Sequence, residues 1–493
     1  MKREIATPIA SPISTPADSN WWFGVARKWW VLIAVGTGSF MAGLDGSVVN
    51  TVLPVIRQAF SSDLATVEWV VMIYLLTLSV LLLSFGRLGD ILGHKRVFNL
   101  GFVVFILGSA LCGVAPTEGF LIGFRVLQAI GAAMLTANSP AIITTAFPAE
   151  QRGQALGMQA TIIYLGVTAG PSLGGFLTDR FGWRAVFFIN VPVGILGTIL
   201  AFLIIPRAVA AQRRETFDLV GAGTFLVGLG ALMLAVSKGQ DMGWAAPMIL
   251  GLFAVAVVFL AAFIRLEFSV SHPMLDLTLF RSRLLSAATS AAFFNYVCVY
   301  LMMFLMPFYL IQGRHFSPGF VGLLLTAQPI VMAIAAPFSG TLSDRIGSRI
   351  PATLGMVFLA VGLFGMSQIN AQTSEMDIVI RLMLMGLGTG IFTSPNSSAI
   401  LGSVPPQQRG IVSGIAATAR NLGMIFGVAV AGAVFTTQIA VRTAALADQQ
   451  AAFFGAISDT FLVAGVLAII GILLSLVRGG AKPDAKQQAG KPV

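Results

Sequence analysis

Charged residues are scarce in this sequence. Only 10% of the 493 residues are Asp, Glu, Lys or Arg, whereas 56% are hydrophobic, and a soluble globular protein carries about 25% charged residues. A soluble enzyme is therefore excluded, because its surface needs more charge than this chain has. Intrinsic disorder of the whole chain is excluded as well, since disordered chains are poor in hydrophobic residues. The composition predicts a membrane protein with many spans.

Cysteine and histidine are also rare. Cys112 and Cys298 each lie in an apolar run, and the three histidines lie in predicted loops. Their spacing matches no metal-binding or catalytic motif, so we expect no metal, no cofactor and no enzymatic activity. The long apolar runs argue against a transmembrane barrel, whose strands alternate apolar and polar residues over about ten positions.

Apolar segments of about 18–25 residues recur along the chain, and each is long enough to cross a bilayer core of about 30 Å as a helix. They predict an all-α polytopic membrane protein with fourteen spans. The predicted spans are 30–53, 67–86, 97–116, 119–145, 154–178, 185–206, 217–237, 246–264, 285–311, 319–340, 351–370, 377–400, 410–437 and 456–477.

The positive charges predict the orientation. With the N-terminus inside, most of the 30 Lys and Arg residues fall on the same side of the membrane, as the positive-inside rule requires of cytoplasmic loops. We therefore predict a multi-pass protein of the cytoplasmic (inner) membrane with both termini in the cytoplasm. Residues 1–29 are predicted to be a disordered and interfacial cytoplasmic segment, and 478–493 a cytoplasmic tail.

The sequence repeats itself. GRLGDILGHKR (86–96) recurs as GTLSDRIGSRI (340–350), and FPAEQRGQALG (147–157) recurs as VPPQQRGIVSG (404–414). Parallel repeats around a midplane site are typical of secondary transporters. The repeat predicts two six-helix bundles, separated by a linker whose two extra spans have no counterpart. The predicted boundaries are 30–206 and 285–477 for the bundles, 207–284 for the linker, and 217–237 and 246–264 for its two helices.

Four segments together resemble one known family. GRLGDILGHKR resembles the signature loop of the major facilitator superfamily, and RVLQAIGAAM (125–134) resembles its basic motif in span 4. GVTAGPSLGG (166–175) resembles the glycine-proline motif of its antiporters, and LDGSVVNTVLP (44–54) resembles the span-1 motif of its fourteen-helix drug:proton antiporters. The resemblance covers about 30–477. It implies the major facilitator fold with two extra helices, and an exporter rather than an importer.

Asp45 is the acidic residue that lies deepest inside a predicted span. A buried carboxylate is costly unless it is paired or protonated, and a carboxylate held between burial and a nearby cation can exchange its proton near neutral pH. Arg125 lies at a similar depth in span 4, and the resemblance implies that both spans line a central cavity. We predict that Asp45 and Arg125 form the proton-coupling pair. Two alternatives stay open: Asp45 only solvates a vestibule, and Arg125 only pins helices.

Two glycine-containing motifs have predicted conformational roles. The first is the antiporter motif, where small residues four positions apart let two helices approach closely and a proline bends the helix. Its residues are Gly166, Gly170, Pro171, Gly174 and Gly175. The second is the signature loop, where glycines permit a tight turn.

The resemblance implies that Asp90 of the signature loop latches the outward-facing state by meeting a helix N-terminus of the opposite half, where the dipole favours an anion. Arg96 is a predicted partner, and Gly86 and Gly93 complete the predicted latch. Ile91 and His94 depart from the family pattern, which usually has basic residues there, and weaken the basic character of the loop.

Other polar residues within the spans are predicted to line the substrate cavity, although each alone is more typical of helix–helix hydrogen bonding. The predicted cavity residues are Asn50, Gln128, Asn138, Tyr164, Asn295, Tyr296, Gln328 and Asn396. Arg420 also falls within a span and requires a partner that the sequence does not identify. Three acids near outer span ends are expected to be solvated: Glu68, Glu118 and Asp377.

These observations predict a proton-coupled exporter of amphipathic, drug-like compounds that works by alternating access and is driven by the proton gradient. Its expected partners are small molecules, protons and the bilayer, without nucleic acid. We expect a functional monomer, and a periplasmic partner stays open. Two alternatives are an exporter of one endogenous metabolite or lipid precursor, and a non-transporting membrane sensor or scaffold.

Overall fold

A computed structural model describes residues 21–22, 25–148, 151–206, 219–269, 277–404, 409–445 and 448–477. Within these ranges the chain is helical apart from connecting turns and a short antiparallel pair, β1 (Trp21–Trp22) and β2 (Val25–Ala26). In the described part, 13 helical segments are long and apolar enough to cross a membrane, and a shorter apolar helix covers Gly223–Val236. The predicted all-α polytopic membrane fold is confirmed.

The N-terminal half consists of seven helices that make six crossings, because the two helices of the sixth crossing follow each other directly. The helices are α1 (Arg27–Phe60), α2 (Leu64–Leu92), α3 (His94–Gly113), α4 (Glu118–Ala146), α5 (Arg152–Phe181), α6 (Ala185–Phe188) and α7 (Asn190–Ile204).

The linker contributes two helices, and the C-terminal half repeats the six crossings. The linker helices are α8 (Leu219–Met242) and α9 (Pro247–Ser269). The C-terminal helices are α10 (Arg283–Pro307), which continues as a π-helical turn (Phe308–Gly313), α11 (Pro318–Leu325), α12 (Ala327–Ile346), α13 (Arg349–Met366), α14 (Glu375–Gly402), α15 (Arg409–Ala445) and α16 (Gln449–Val477).

Matching helices of the two halves begin with the same chemistry. Asp63 caps α2 by accepting the N–H of Thr66, and Ser317 caps α11 in the corresponding place. Thr117 caps α4, and Ser374 caps α14. Such side chains satisfy N–H groups that have no partner within the helix. The sequence repeat is therefore a structural repeat down to the helix ends.

The repeated loop motif also forms the same turn twice. Gly93 between α2 and α3 has a φ of 93°, and Gly347 between α12 and α13 has a φ of 85°. Side chains other than glycine rarely adopt this conformation. The glycine explains why each turn is short enough to bring successive helices back alongside each other.

The first helix extends further than predicted. The sequence suggested an end near Pro54, but α1 continues through this proline to Phe60 and stops at Ser61, whose φ is 53°. The proline removes one backbone hydrogen bond, and the buried contacts on both sides of it maintain the helix. As a result, Asp45 lies near the middle of α1.

The linker helices pack as a pair beside the two halves. Gly228 of α8 lies directly against Leu260 of α9, where an added methyl group would come within 2.9 Å of the leucine Cγ. Within the described residues, α8 also contacts α2 of the N-terminal half and α15 of the C-terminal half. The pair therefore lies along the seam that α2 and α15 form.

The two halves meet at one end of the bundle. We call this the outer end, following the orientation predicted from charge; the inner end is where α1 begins and α16 ends. Arg57 Nη1 donates to Gln312 Oε1 at 3.1 Å, and Asp179 Oδ2 accepts the Gly319 N–H at 2.8 Å. These bonds join the halves across their outer ends, so the structure is closed to the outer side.

Candidate functional site

Asp45 lies at the centre of the N-terminal half and is fully buried. Its helix approaches α5 closely because both helices have glycines along the contact. A methyl group at Gly43 would lie 2.5 Å from the Ile163 carbonyl oxygen, and one at Gly166 would lie 2.4 Å from the Phe40 carbonyl oxygen. This close packing excludes water from one side of the carboxylate.

Arg125 forms an ion pair with Asp45. Arg125 Nη1 lies 2.6 Å from Asp45 Oδ2, and both side chains are at most 1% exposed. Arg125 Nε donates to the Val70 carbonyl oxygen of α2 at 2.9 Å, and the guanidinium carbon lies 4.0 Å from the centre of the Tyr74 ring. The predicted pair is thus in direct contact, and α2 supplies a carbonyl oxygen and an aromatic ring to the cation.

Three further polar side chains complete the network. Gln128 Nε2 donates to Asp45 Oδ1 at 2.8 Å and to Ser109 Oγ at 2.7 Å, and Gln128 Oε1 accepts from Arg125 Nη1 at 2.7 Å. Asn190 Nδ2 donates to Asp45 Oδ1 at 3.3 Å and to Ser109 Oγ at 3.1 Å. Side chains from α4 and α7 therefore bind the carboxylate of α1, and Ser109 of α3 holds Gln128 and Asn190 in place.

Sequence reasoning did not assign Ser109 or Asn190 to the site. Gly108 offers a signal for the first, because a methyl group there would lie 2.5 Å from the backbone nitrogen of Gln128. The glycine brings α3 against α4 and places its neighbour Ser109 beside the pair. Asn190 begins a new helix after the short α6, and an apolar run does not reveal such a break.

The corresponding arginine of the C-terminal half has a different environment. Arg381 Nη2 lies 2.6 Å from Asp377 Oδ2 on the same helix, and the carboxylate is 43% exposed. Arg381 Nη1 donates to the Gly365 carbonyl oxygen at 2.5 Å. The repeat thus preserves the arginine but not the buried carboxylate, so the two halves differ in their chemistry.

The predicted cavity residues separate into two groups. Most are in helix contacts: Asn138 Nδ2 donates to the Phe85 and Met134 carbonyl oxygens, and Asn295 Nδ2 lies 3.3 Å from the Met356 sulfur. In this conformation these amides are buried within helix contacts, and a place on the cavity wall stays a prediction for them. The other buried members of this group are Asn50, Gln128, Gln328 and Asn396.

Tyr164 and Tyr296 lie on opposite sides of the space between the halves. Tyr164 belongs to α5 and Tyr296 to α10, and the two hydroxyls lie within electrostatic range of each other and of Arg420. Arg420 is exposed, with its guanidinium carbon 5.9 Å from the centre of the Tyr296 ring. Although Arg420 lies within a predicted span, its side chain is therefore not enclosed by the surrounding helices.

The antiporter glycine motif forms contacts on two sides of α5. Gly170 and Gly174 lie against Ser47 and Val48 of α1. Gly175 faces the other half, where a methyl group would come within 2.1 Å of the Pro318 carbonyl oxygen.

The other half contributes a matching contact: a methyl group at Gly322 would lie 2.1 Å from the Pro171 carbonyl oxygen. Ser172 Oγ and Thr326 Oγ1 are 2.5 Å apart beside it. The motif is therefore part of the closure at the outer end.

Glu68 contributes to the same closure. This acid was expected to be solvated, but it is 1% exposed and lies against Gly432 of α15, with no room for a methyl group at that position. It is buried because α2 and α15 press together at the outer end. Glu118 and Asp377 are partly exposed.

The predicted latch is only partly described. The side chain of Asp90 lies outside the described residues. Gly86 has open space around it, and Arg96 is exposed. His94 Nδ1 lies 2.8 Å from Asn138 Oδ1, which ties the loop to α4.

The sequence profile of the Major Facilitator Superfamily matches this chain twice, over residues 35–287 and 288–493. The chain is 33% identical over 451 residues to the riboflavin transporter RibZ of Clostridioides difficile (strain 630), covering 91% of this chain and 97% of the relative. It is 35% identical to the multidrug resistance protein Stp of Mycobacterium tuberculosis, covering 82% and 75%. It is 31% identical to the tetracenomycin C resistance and export protein of Streptomyces glaucescens, covering 84% and 77%.

The fold is also found among solved structures. The crystal structure of a bacterial homologue of the human lysosomal transporter Spinster, in an inward-facing conformation, aligns with a TM-score of 0.68 at 16% identity. The alignment covers 92% of this chain and 97% of that one. Together with the profile match and the internal repeat, these similarities show that the chain belongs to the major facilitator superfamily and is a membrane transporter, not an enzyme.

Proposed function

We propose that this transporter exports amphipathic, drug-like molecules across the cytoplasmic membrane in exchange for protons, by alternating access. The observation that carries the proposal is the buried ion pair of Asp45 and Arg125, 2.6 Å apart. A buried ion pair is a weak source of stability, and intramembrane ionisable residues usually have a function. The names of Stp and of the tetracenomycin C exporter support an export role.

The proposed cycle uses two states of the carboxylate. When the transporter is closed to the outer side, the Asp45 carboxylate is bound by Arg125 and Gln128. When it opens outward, water reaches Asp45, which takes up a proton and loses its attraction to Arg125 while the substrate leaves. Return to the inner side restores the pair as the proton leaves and new substrate binds.

The difference between the halves supports a single coupling site. Arg381 is bound to a carboxylate at the outer end that is 43% exposed, so water reaches it in the outer-closed conformation. Arg125 has a carboxylate that is fully buried, so the access of water to it depends on conformation. Only the second arrangement links protonation to alternating access.

The test is substrate-driven proton release. Purified full-length protein in weakly buffered detergent is mixed with ethidium, with neutral N-phenyl-1-naphthylamine and with riboflavin, and the pH is recorded. We expect wild type to release protons with at least one of these compounds. Asp45→Asn should release none, because the amide keeps the size of the side chain but does not titrate. It should retain part of its substrate binding.

Asp377→Asn is the matched control, because it removes a paired carboxylate outside the network, and it should behave as wild type. Full release from Asp45→Asn would contradict the proposal and point to another acid, with the buried Glu68 next in line. Release that is lost equally in both variants would also contradict it.

A second function is transport of one metabolite. This function is favoured by the similarity to RibZ, which is named a riboflavin transporter. The similarity covers 97% of the length of RibZ. The two functions differ in range: a transporter of one metabolite should release protons with riboflavin alone, whereas a multidrug exporter should respond to several unrelated compounds.

A further inference from the structure

Arg420 is a positive charge deep in the bundle that the coupling network does not use. It lies about 16 Å along α15 from the inner end, at 1.5 Å per residue, and it is exposed. The described ion pairs all involve other arginines, so within the described residues Arg420 has no carboxylate partner. Charged residues within membrane spans face the bundle interior or a water-filled cavity and mark substrate pathways, so this exposed arginine is available to a ligand of opposite charge.

Three tyrosines surround this arginine. The Tyr296 ring centre lies 5.9 Å from its guanidinium carbon, and Tyr296 and Tyr300 lie on the face of α10 that packs against α15, where methyl groups at Gly423 and Gly427 would lie 3.0 and 3.1 Å from their Cβ atoms. The chain has only five tyrosines, and three of them meet here from both halves. In the described part of the structure, the three hydroxyls form no hydrogen bond with protein groups, so they are available to a ligand.

The chemistry of these groups selects a ligand. A guanidinium binds a carboxylate or sulfonate through two parallel hydrogen bonds. Tyrosine rings stack on flat aromatic surfaces, and their hydroxyls donate to the same anion. The acidic counterpart in this region, Asp45, is fully buried and already neutralised by Arg125. The accessible charge at the described centre of the bundle is therefore positive, which disfavours organic cations.

We propose that Arg420, Tyr164, Tyr296 and Tyr300 form a binding subsite for planar aromatic anions. The proposal rests on the transport function above and specifies its substrate class: aromatic acids with a carboxylate or sulfonate next to the ring. The anion binds Arg420, and its rings lie between Tyr164 of one half and Tyr296 of the other. Because the tyrosines belong to different halves, the ligand bridges the two parts that move relative to each other.

The experiment uses three ring-matched probes, anthracene-2-carboxylate, anthracene-2-carboxamide and 2-(aminomethyl)anthracene. Full-length protein in phosphatidylcholine nanodiscs is studied by equilibrium dialysis with the radiolabelled compounds. We expect wild type to bind the carboxylate at least tenfold more tightly than the carboxamide, and the ammonium compound most weakly. Arg420→Gln should lose this tenfold preference with little change for the carboxamide, whereas Arg420→Lys should keep part of it.

Arg180→Gln is the matched control, because Arg180 is also an exposed arginine but lies at the outer end of α5, and it should bind as wild type. Equal affinity of wild type for the carboxylate and the carboxamide would overturn the proposal, as would an unchanged preference in Arg420→Gln. Adding phosphatidylglycerol to the nanodiscs should not displace the carboxylate. Complete displacement would show that Arg420 binds lipid headgroups and would also overturn it.

The experiments distinguish a failure of the subsite proposal from a failure of the proposed proton coupling. Asp45→Asn should still prefer the carboxylate, since the subsite does not contain Asp45, although it should release no proton. A carboxylate preference in a wild-type protein that releases no protons would contradict proton coupling and leave the subsite intact. Proton release with neutral probes and no preference for the anion would contradict the subsite alone.

Discussion

Gly175 of α5 lies so close to Pro318 of α11 that a methyl group at position 175 would come within 2.1 Å of the proline carbonyl oxygen. The two contacting groups are the Cα of Gly175 and the carbonyl oxygen of Pro318. Both belong to the backbone of regular helices, which has little freedom to move aside. The contact joins the two halves at their outer ends and disappears when these ends separate. Its fit is therefore specific to the outer-closed state.

Gly175→Ala should shift the transporter towards the outward-open state. Overpacking costs about 1–3 kcal/mol, which changes the ratio of the two states about 5- to 150-fold, since 1.4 kcal/mol is a factor of ten. The readout is labelling of a cysteine introduced at Ser172, which is covered by Thr326 in the closed state. Gly157→Ala is the control, because it lies on the same helix with open space around it, and unchanged labelling in both variants would refute the expectation.

Arg125→Ala should destabilise the folded protein strongly. Removal of one partner from a buried ion pair costs about 3–5 kcal/mol, because the remaining charge is buried without compensation. Adding Asp45→Asn to Arg125→Ala should recover part of this loss, since the unpaired charge is then absent. Thermal unfolding in detergent measures both effects. A double variant that is less stable than Arg125→Ala would show that the pair does not act as a unit.

Arg125→Lys should retain more transport than Arg125→Ala. Lysine keeps the positive charge near Asp45 but lacks the planar fork with which Arg125 binds both Asp45 and the Val70 carbonyl oxygen. We therefore expect intermediate rates of uphill efflux, measured in energised membrane vesicles. Equal activities of the lysine and alanine variants would argue against a role for the charge.

Asp63 makes a pH-dependent contribution to stability. Burial opposes ionisation of its carboxyl, but the hydrogen bonds from Thr66 and the charges of Lys238 and Arg57 hold its pKa below the usual value. The carboxylate therefore stabilises the fold at pH values above the unfolded pKa of about 3.9, and this contribution is lost as the pH falls through the lower folded-state pKa. Asp63→Ala should cost about 1 kcal/mol at pH 7.

The companion variant Asp63→Asn separates the two parts of this effect. The amide oxygen can still cap α2, but it does not titrate, so the variant should lie between wild type and Asp63→Ala at neutral pH. The gap between wild type and Asp63→Asn should narrow in acid when unfolding is followed by thermal melting. A gap that is independent of pH would exclude the electrostatic contribution.

The signature-loop latch stays a prediction. Asp90 should meet the start of α15 near Gly410 when the transporter is outward-open, because a helix N-terminus favours an anion. A cysteine pair at these two positions should form a disulfide readily when Gly175→Ala favours the outward-open state, and slowly in the Gly157→Ala background. Equal rates would show that the latch does not depend on conformation.

The fold could be predicted from the sequence because its main determinant is linear. The bilayer requires long apolar helices, and their lengths are visible as uninterrupted hydrophobic runs. The repeated loops gave the twofold organisation, and the structure repeats their turns at Gly93 and Gly347. Local breaks were not predicted: the step from α6 to α7 at Asn190 and the step from α11 to α12 at Thr326 each lie inside one predicted span.

The residues of the candidate site could be predicted only where their depth along the membrane-spanning helices was enough to bring them together. Asp45 and Arg125 lie at matching depths in their helices, and they are in contact. The direction that a residue faces depends on the rotation of its helix about the helix axis. A run of apolar residues does not specify this rotation. For this reason Ser109 and Asn190 were not assigned, and Asn138 was placed in the cavity although it binds the backbone of α2 and α4.

The position of α8 and α9 makes the two sides of the transporter unequal towards the bilayer. The halves face each other along two lateral seams, one between α2 and α15 and the other between α5 and α11. The extra pair lies over the first seam, where α8 contacts both α2 and α15 within the described residues. The two additional helices therefore stand between the lipid and the α2–α15 seam, and we expect them to shield the central space on that side from hydrophobic molecules dissolved in the bilayer.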